Sequence, residues 1–240
     1  MSDTGERAWE AVLAHVEGLL LTGALAPGDR LPGERALALE LGVGRSSVRE
    51  AVRVLEVMGL VRTRSGSGPA AGAVIVARPT GGMSALLRLQ VAASGFAVED
   101  VVRTRLVLET AVVDDLARTH RPALGESREL LDAMDAEVLD HDAFLALDAQ
   151  FHLSLAEASG NAVIAAMTAG LRDAVESYVI TAARTLPDWP RTRDRLRSEH
   201  RALVAAIAAA DPDRARALVE AHISGYYAET HLTPTGAEKD

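Results

Sequence analysis

Four side chains that can bind a metal ion lie on predicted helices in the second part of the chain. The stretch LDAQFHLSLAEASGN contains Asp148 and His152, and His200 and His222 follow in two later helices. Side chains at i and i+4 share one face of a helix, so Asp148 and His152 can reach the same ion. One carboxylate and three imidazoles suit a divalent cation such as Zn²⁺ or Ni²⁺ and leave positions open for water or a ligand.

The spacing of neighbouring apolar residues predicts that these four side chains face the interior. The apolar stripes that contain them are formed by Phe144, Phe151 and Leu155 in the first helix, Leu196, Leu203 and Ile207 in the second, and Ala215, Leu218 and Tyr226 in the third. A polar group buried without a partner costs roughly 2–7 kcal/mol, so the four should satisfy one another or a ligand. We therefore predict that the helices bring them together at one site.

Two other interpretations of these residues are open. The histidines can be hydrogen-bonded members of a structural core, in which case the bundle serves only dimerisation. Alternatively, the chain is a metal-dependent hydrolase or another metalloenzyme fused to a DNA-binding module, because three histidines and a carboxylate can activate water. Against an enzyme, no general base stands beside the site: Glu199 precedes His200 directly and points about 100° away from it on a helix.

A pair of opposite charges lies on or beside the apolar stripe of the helix predicted at 98–119. Arg105 and Glu109 have the i, i+4 spacing at which an ion pair can form within a helix. Alternatively, Arg105 binds the carboxylate of a small organic acid, an effector whose oxygens complete the metal shell, because guanidinium matches carboxylate geometry. We favour the effector role for Arg105 and expect Glu109 to support it.

The helices that could position these groups follow one another from residue 83 onward. Their predicted ranges are 84–94, 98–119, 125–139, 142–159, 162–185, 191–210 and 212–230. The first part predicts helices at 7–22, 33–41 and 46–58 and two β-prone runs at 60–63 and 73–76. The fold class is therefore mainly α, with a first domain at 1–78, a linker at 79–82, an all-helical domain at 83–232 and a flexible tail at 233–240.

The third predicted helix has one apolar and one cationic face. The apolar stripe consists of Val48, Val52 and Leu55, and the cationic face of Arg45, Arg49 and Arg53. Ser46 or Ser47 can cap its N-terminus, the second together with Glu50. Arginines at the start of a helix can bind guanine edges or phosphates in the major groove, and a serine hydroxyl can hold a phosphate. Alternatively, the arginines form an ordinary solvated surface.

Composition limits the remaining possibilities. The absence of cysteine excludes disulfides and thiolate chemistry. The net charge of −9 belongs to the part after residue 80, because nine arginines balance nine acidic residues before it, so the first part can still bind nucleic acid. No run of eighteen apolar residues occurs, and the N-terminal MSDTGERAWE is too charged for a signal peptide. We expect a soluble, cytoplasmic protein without a membrane partner.

The sequence LAPGDRLPGERALALELGVGRSSVREAVRVLEVMGLVRTRSGSG resembles the winged helix-turn-helix of GntR-family transcription regulators, over about residues 7–78. The matching motifs are the PGDRLP turn, ERALA, the LGV turn, RSSVREA and LEVMGLV before the wing. The resemblance implies that the third helix is the recognition helix and that Arg35, Arg45, Arg49 and Gly66, at the wing tip, contact DNA. In this sequence Gly44 stands where the family usually has Ser or Thr, and the wing RSGSGPAAGAVIV is longer than usual.

Residues 83–232 resemble the all-helical FCD domain, the effector-binding half of the FadR subfamily of GntR regulators. Its metal-binding members have a D-x-x-x-H pair, a histidine after a glutamate on a later helix and a histidine in the last helix; Asp148, His152, His200 and His222 match in order. Members also have R-x-x-x-E in the helix that carries Arg105, and many bind small organic acids. The resemblance implies a homodimeric regulator, a repressor rather than an enzyme, whose binding to double-stranded operator DNA depends on a carboxylate effector at the metal.

Overall fold

The computed structural model describes residues 7–64, 72–76, 81–93, 95–135 and 139–230. Its contacts divide the chain into two compact units, Met1–Met83 and Ser84–Asp240. Gly66 with the rest of the predicted wing tip, the first half of the predicted linker and the tail at 233–240 lie outside the described residues.

Within the described residues, the first unit contains three helices and an antiparallel hairpin, as predicted. These are α1 (Ala8–Leu21), α2 (Glu34–Leu41), α3 (Arg45–Val57), β1 (Val61–Arg64) and β2 (Gly72–Ile75). Both α1 and α2 pack on α3. Val48 of α3 is fully buried between them with Val12 and Leu37. The apolar face predicted for α3 is therefore the face that packs.

The segment before α2 joins the hairpin and explains the PGDRLP motif. In the turn that it forms, the amide of Asp29 donates to the carbonyl of Ala26 at 2.9 Å. Gly28 has a φ of 94°, which glycine adopts without steric cost, and proline is favoured at the position before it. After the turn, residues 28–31 pair with β2, where the amide of Leu31 donates to the carbonyl of Ala73 at 2.9 Å.

The N-terminus of α3 differs from the prediction. The helix begins at Arg45, and its N-cap is Gly44 in an extended conformation, so neither Ser46 nor Ser47 caps it. A glycine has no side-chain oxygen and therefore gives no capping signal in the sequence. The position at which the GntR family usually has Ser or Thr is thus the N-cap of this helix, and the capping hydroxyl is missing here.

In the second unit, the described residues form helices only. These are α4 (Gly81–Ala92), α5 (Val98–Arg118), α6 (Gly125–Met134), α7 (His141–Ala158), α8 (Ala162–Ala183), α9 (Trp189–Ala208) and α10 (Pro212–Glu229). The central helix is α5, which packs on α7, α8, α9 and α10. Its Val112, Val113 and Leu116 belong to the main apolar core. No helix in the described ranges is long and apolar enough to cross a membrane.

Several helix boundaries in the second unit differ from the predictions. Helix α4 begins at Gly81, inside the predicted linker. Helix α6 ends at Met134 rather than at Leu139, and Leu139 packs on the core from outside the helix. Helix α9 begins before the predicted Arg191, since Asp188 caps it through the amide of Arg191 and proline fits the first turn.

Candidate functional site

The four predicted metal-binding side chains meet inside the second unit. Asp148 and His152 come from α7, His200 from α9 and His222 from α10, and one ligand atom from each lies within 4.8 Å of the others. The Nε2 of His222 is 3.1 Å from Nε2 of His152 and 3.2 Å from Nε2 of His200. Oδ1 of Asp148 is 3.1 Å from Nε2 of His200. Three nitrogens and one oxygen therefore surround one small volume.

The helical bundle encloses this cluster. His200 is fully buried, and none of the other three residues is more than 9% exposed. Burial lowers the pKa of His152 to about 3 and also lowers the pKa of His200. Both imidazoles are therefore neutral at pH 7, which is the form that binds a metal.

Carboxylates on the outer side of the cluster determine where two of the imidazoles carry their protons. Oε2 of Glu199 is 2.8 Å from Nδ1 of His222, and Oε2 of Glu109 lies directly against Nδ1 of His152, although this pair is not aligned as a hydrogen bond. A carboxylate at Nδ1 favours the tautomer with the proton on that atom. The Nε2 atoms of both imidazoles then present lone pairs toward each other.

The close approach of these nitrogens is the observation that tests whether the residues fit a metal ion. The Nε2 atoms of His152 and His222 are 3.1 Å apart, and two lone pairs at this distance repel each other unless a positive charge lies between them. Burial opposes a second proton on His152. A divalent cation held by nitrogen and oxygen ligands satisfies the atoms directly. The donor set therefore fits such a cation.

Asp148 connects the cluster to a buried arginine. Its Oδ1 faces the imidazoles, whereas its Oδ2 accepts a close contact from the guanidinium of Arg172 on α8. Burial alone would raise the pKa of Asp148, but Arg172 and the contact with His200 outweigh burial and hold the pKa well below its usual range. The carboxylate is thus ionised and positioned with one oxygen available to a metal.

Glu109 contacts the site directly, which the sequence did not predict beyond a supporting role for Arg105. Burial alone would raise its pKa, but His152, Arg105 and Arg172 outweigh burial and hold the pKa below its usual range. Glu109 is therefore a buried carboxylate anion that binds Arg105 with one oxygen and contacts His152 with the other.

Glu199 lies beside the site, so the expectation that it points away from the site is wrong. Its carboxylate points away from His200, as expected on a helix, but α10 places His222 on that side of α9. Arg195 donates to Glu199 at 2.7 Å and also contacts Glu229. Glu199 holds the outer nitrogen of His222 and is tied to an arginine, so it acts on a ligand rather than as a general base.

Replacing Glu199 with glutamine tests this contact. We expect Glu199→Gln to weaken metal binding by about 10–100-fold, the usual effect of removing an outer carboxylate from a ligating histidine. Competition with a chromophoric chelator measures the affinity. The matched control is Glu229→Gln, which removes the other carboxylate bound to Arg195 without touching His222. Equal affinities of both variants and the wild type would contradict the role of Glu199.

The predicted effector residue, Arg105, is buried beside the cluster. Its Nε donates to Glu109 at 2.9 Å, and a terminal nitrogen donates to the hydroxyl of Tyr227 at 2.6 Å. Burial opposes the charge of Arg105, but Tyr227, Glu109 and Asp148 outweigh burial and raise its pKa. The ion pair expected from the i, i+4 spacing is therefore present.

A cavity of about 70 Å³ lies next to the cluster. It has room for roughly two water molecules. Two of the four clustered residues, Asp148 and His222, form part of its wall, together with Arg105, Arg172 and Tyr227. A small molecule in this cavity could contact the metal-binding atoms and two guanidinium groups.

The first unit presents the predicted DNA-contacting residues on its surface. Those exposed are Arg35, Arg45, Ser46 and Arg49, whereas Ser47 is half-buried. Arg45 and Arg49 lie 3.7 and 3.8 Å from the same carboxylate oxygen of Glu34. Exposed ion pairs of this kind contribute at most about 1 kcal/mol, so they leave the guanidinium groups able to contact phosphates.

Two family models match the chain, one in each unit. The model described as "Bacterial regulatory proteins, gntR family" matches residues 9–70, and the model described as "FCD domain" matches residues 100–225. The first match contains α2 and α3, and the second contains all four clustered residues. FCD domains can bind metals, so the cluster lies in a domain of a suitable kind.

Known relatives and a solved structure agree with these matches. The chain is 30% identical to the putative L-lactate dehydrogenase operon regulatory protein of Escherichia coli K12, over 91% of this chain and 84% of that protein. It is also 30% identical to the HTH-type transcriptional repressor NanR of Citrobacter rodentium, over 92% and 85%. The structure of Streptococcus agalactiae GntR is similar with a TM-score of 0.60 and 25% identity, over 90% and 97%. The chain therefore belongs to the GntR family of bacterial regulators with an FCD domain, and it is a DNA-binding transcription regulator rather than an enzyme.

Proposed function

We propose that this regulator is a repressor whose binding to operator DNA is controlled by a small carboxylate effector at a metal site. Asp148, His152, His200 and His222 bind the metal, which is Zn²⁺ or Ni²⁺. The observation that carries the proposal is the convergence of three imidazole nitrogens and one carboxylate oxygen within 4.8 Å. The ion supplies a positive centre to which an effector carboxylate can bind.

The adjoining cavity supports the position of the effector. Asp148 and His222 border it, so a molecule in the cavity would reach the metal from the side on which two of its ligands lie. Arg105 also borders the cavity and is the residue that we propose to bind the effector carboxylate. Its contacts with Glu109 and Tyr227 hold the guanidinium in place for that role.

On the DNA side, we propose that Arg35, Arg45, Ser46, Ser47 and Arg49 contact the operator, together with Gly66 in the wing. The first domain would then be 1–78, and the second, at 83–232, would carry both the effector site and the dimer interface. A homodimer places two recognition helices on two halves of a near-palindromic operator. Effector binding at the metal would favour one arrangement of the dimer over the other, which is the energetic requirement for control.

The test compares metal-loaded and chelator-treated protein on the same operator. The operator is first selected from random double-stranded DNA with the full-length protein, and its affinity is then measured by fluorescence anisotropy. We expect a small carboxylate to change the affinity of the metal-loaded protein by about 5–150-fold, the usual range of allosteric coupling. The chelator-treated protein should not respond. An equal response of both preparations would contradict metal-dependent control.

A further inference from the structure

Arg172, a second arginine that lines the cavity, makes fewer hydrogen bonds to protein groups than Arg105 does. Arg172 of α8 has a side chain that is only 10% exposed, and its Nη2 contacts Oδ2 of Asp148. Its Nη1 is buried and has no hydrogen-bond partner among the residues that the structure describes. Nη1 is 4.0 Å from Oε1 of Glu109, which is within ion-pair distance but too far for a hydrogen bond. A buried cationic nitrogen without a hydrogen bond is costly, and a ligand at this guanidinium would lower the cost.

The guanidinium of Arg105, by contrast, binds mainly to protein groups. Both its Nε and its Nη2 lie 2.9 Å from Oε1 of Glu109, and its Nη1 donates to Tyr227. Arg172 lines the same cavity, and one of its terminal nitrogens makes no hydrogen bond to the described residues. The guanidinium of Arg172 therefore has more free capacity to bind an anion in the cavity than that of Arg105.

The buried charges around the cavity indicate how much negative charge a ligand should bring. Arg105 pairs with Glu109 and Arg172 pairs with Asp148, so these two cations and two carboxylates balance each other. A divalent cation in the cluster would leave two positive charges uncompensated. Burying uncompensated charge is strongly unfavourable, so a ligand with two negative charges would complete the site.

Two acidic residues at the edge of the cavity do not change this balance. Asp173 and Glu176 also border it, but both are exposed. Water and salt screen the charges of exposed groups far more than those of buried groups. The buried charges therefore determine which ligand is preferred inside.

We propose that Arg172 binds the second anionic group of the effector and that the effector is a small dicarboxylate. One carboxylate lies at the metal and Arg105, and the other accepts hydrogen bonds from the guanidinium of Arg172, which lines the cavity. The small cavity, of about 70 Å³, favours a short diacid over a long one. The inference rests on the proposed function, because it requires the metal site and the effector cavity described there.

The probe pair for this proposal is succinate and butyrate, which have four carbons each and differ by one carboxylate. Their affinities are measured on the full-length, metal-loaded protein by calorimetry, with metal content determined on the same samples. We expect succinate to bind at least about tenfold more tightly, since a hydrogen bond to a charged group contributes this much or more. Butyrate should retain only the contacts of its single carboxylate with the metal and Arg105.

Arg172→Gln should remove the preference for succinate, so that both acids bind within about twofold of each other. The matched control is Arg184→Gln, at the end of the same helix. Arg184 also pairs with an aspartate of α7, Asp142, at 2.6 Å, but it is exposed and does not line the cavity. The control should keep the full preference for succinate.

A second variant covers the case in which Arg172→Gln does not fold. Arg172→Lys keeps a positive charge opposite Asp148 but lacks the forked donors that can hold Asp148 and a ligand together. We expect it to fold, to bind one equivalent of metal and to lose about tenfold in affinity for succinate without changing that for butyrate. Either variant with an unchanged preference would overturn the role of Arg172.

The remaining outcomes separate this proposal from the proposed function. Equal binding of succinate and butyrate to the wild type would overturn the dicarboxylate assignment, as would tighter binding of inorganic phosphate than of succinate. In both cases carboxylate control of operator binding could still be observed, and the proposed function would stand. Wild-type protein that takes up no metal would overturn both.

Discussion

Protein carrying His200→Ala is expected to lose its metal while it still binds operator DNA. His200 is fully buried, and its Nε2 lies within 3.2 Å of both His222 and Asp148. Removing one of four ligands should weaken metal affinity by more than about 100-fold, since removal of an outer-shell partner alone costs 10–100-fold. The variant should bind the operator but should not respond to carboxylates.

The stability of this variant needs a separate measurement. Replacing a buried side chain of this size with alanine costs about 2–5 kcal/mol in comparable cores. The Nδ1 of His200 has no hydrogen-bond partner among the described residues, so the substitution leaves no partner group unsatisfied there. Circular dichroism checks the helical content, and elemental analysis after dialysis measures bound metal.

The control for His200→Ala is His120→Ala, because His120 is exposed and does not belong to the cluster. That variant should bind one equivalent of metal, like the wild type. A folded His200→Ala protein that binds metal with wild-type affinity would contradict the site. Loss of metal together with an intact carboxylate response would instead contradict the proposed link between metal and effector.

Arg49→Ala is expected to weaken operator binding by roughly 10–100-fold, the effect of losing one well-placed contact to a base or its phosphate. Arg49 is on the exposed face of α3, and among the described residues only Glu34, at 3.8 Å, is within ion-pair distance of it. If Arg49 contacts a phosphate, the salt dependence should also decrease, with a loss of about one unit in the slope of log K against log salt. Titrations at several salt concentrations measure both quantities.

The control for Arg49→Ala carries the same change of charge in the other unit. Arg128 is exposed on α6, so Arg128→Ala should bind the operator with wild-type affinity and an unchanged slope. Metal content should be the same in both variants. Wild-type operator binding by Arg49→Ala would remove the recognition role proposed for this face of α3.

The sequence predicted most of the fold because the apolar periodicity of each helix is regular. Phe151 and Leu155 define the buried stripe of α7, and both are at most 2% exposed. The polar residues within the same stripes were informative for the same reason, since Asp148 and His200 could only be buried if something satisfied them. The apolar stripes predicted that the clustered side chains meet at one site. The pattern within a single helix does not give the distances between them.

Contacts between helices were not predictable from the spacing within any one of them. Glu199 looked misplaced because it points away from His200, and only the packing of α10 on α9 brings His222 to it. Arg172 gave no signal either, because its partner Asp148 lies on a different helix. The start of α3 was missed for a local reason, since Gly44 caps the helix without a side chain.

The three helices that supply the clustered residues include α10, the last helix that the structure describes. A cation bound by α7, α9 and α10 would close two large loops of the chain, much as a cross-link does. The chain has no cysteine, so this metal site would be a cross-link that reducing agents do not break. Removal of the cation, and not a change of redox state, would then loosen the attachment of α10 to α7 and α9.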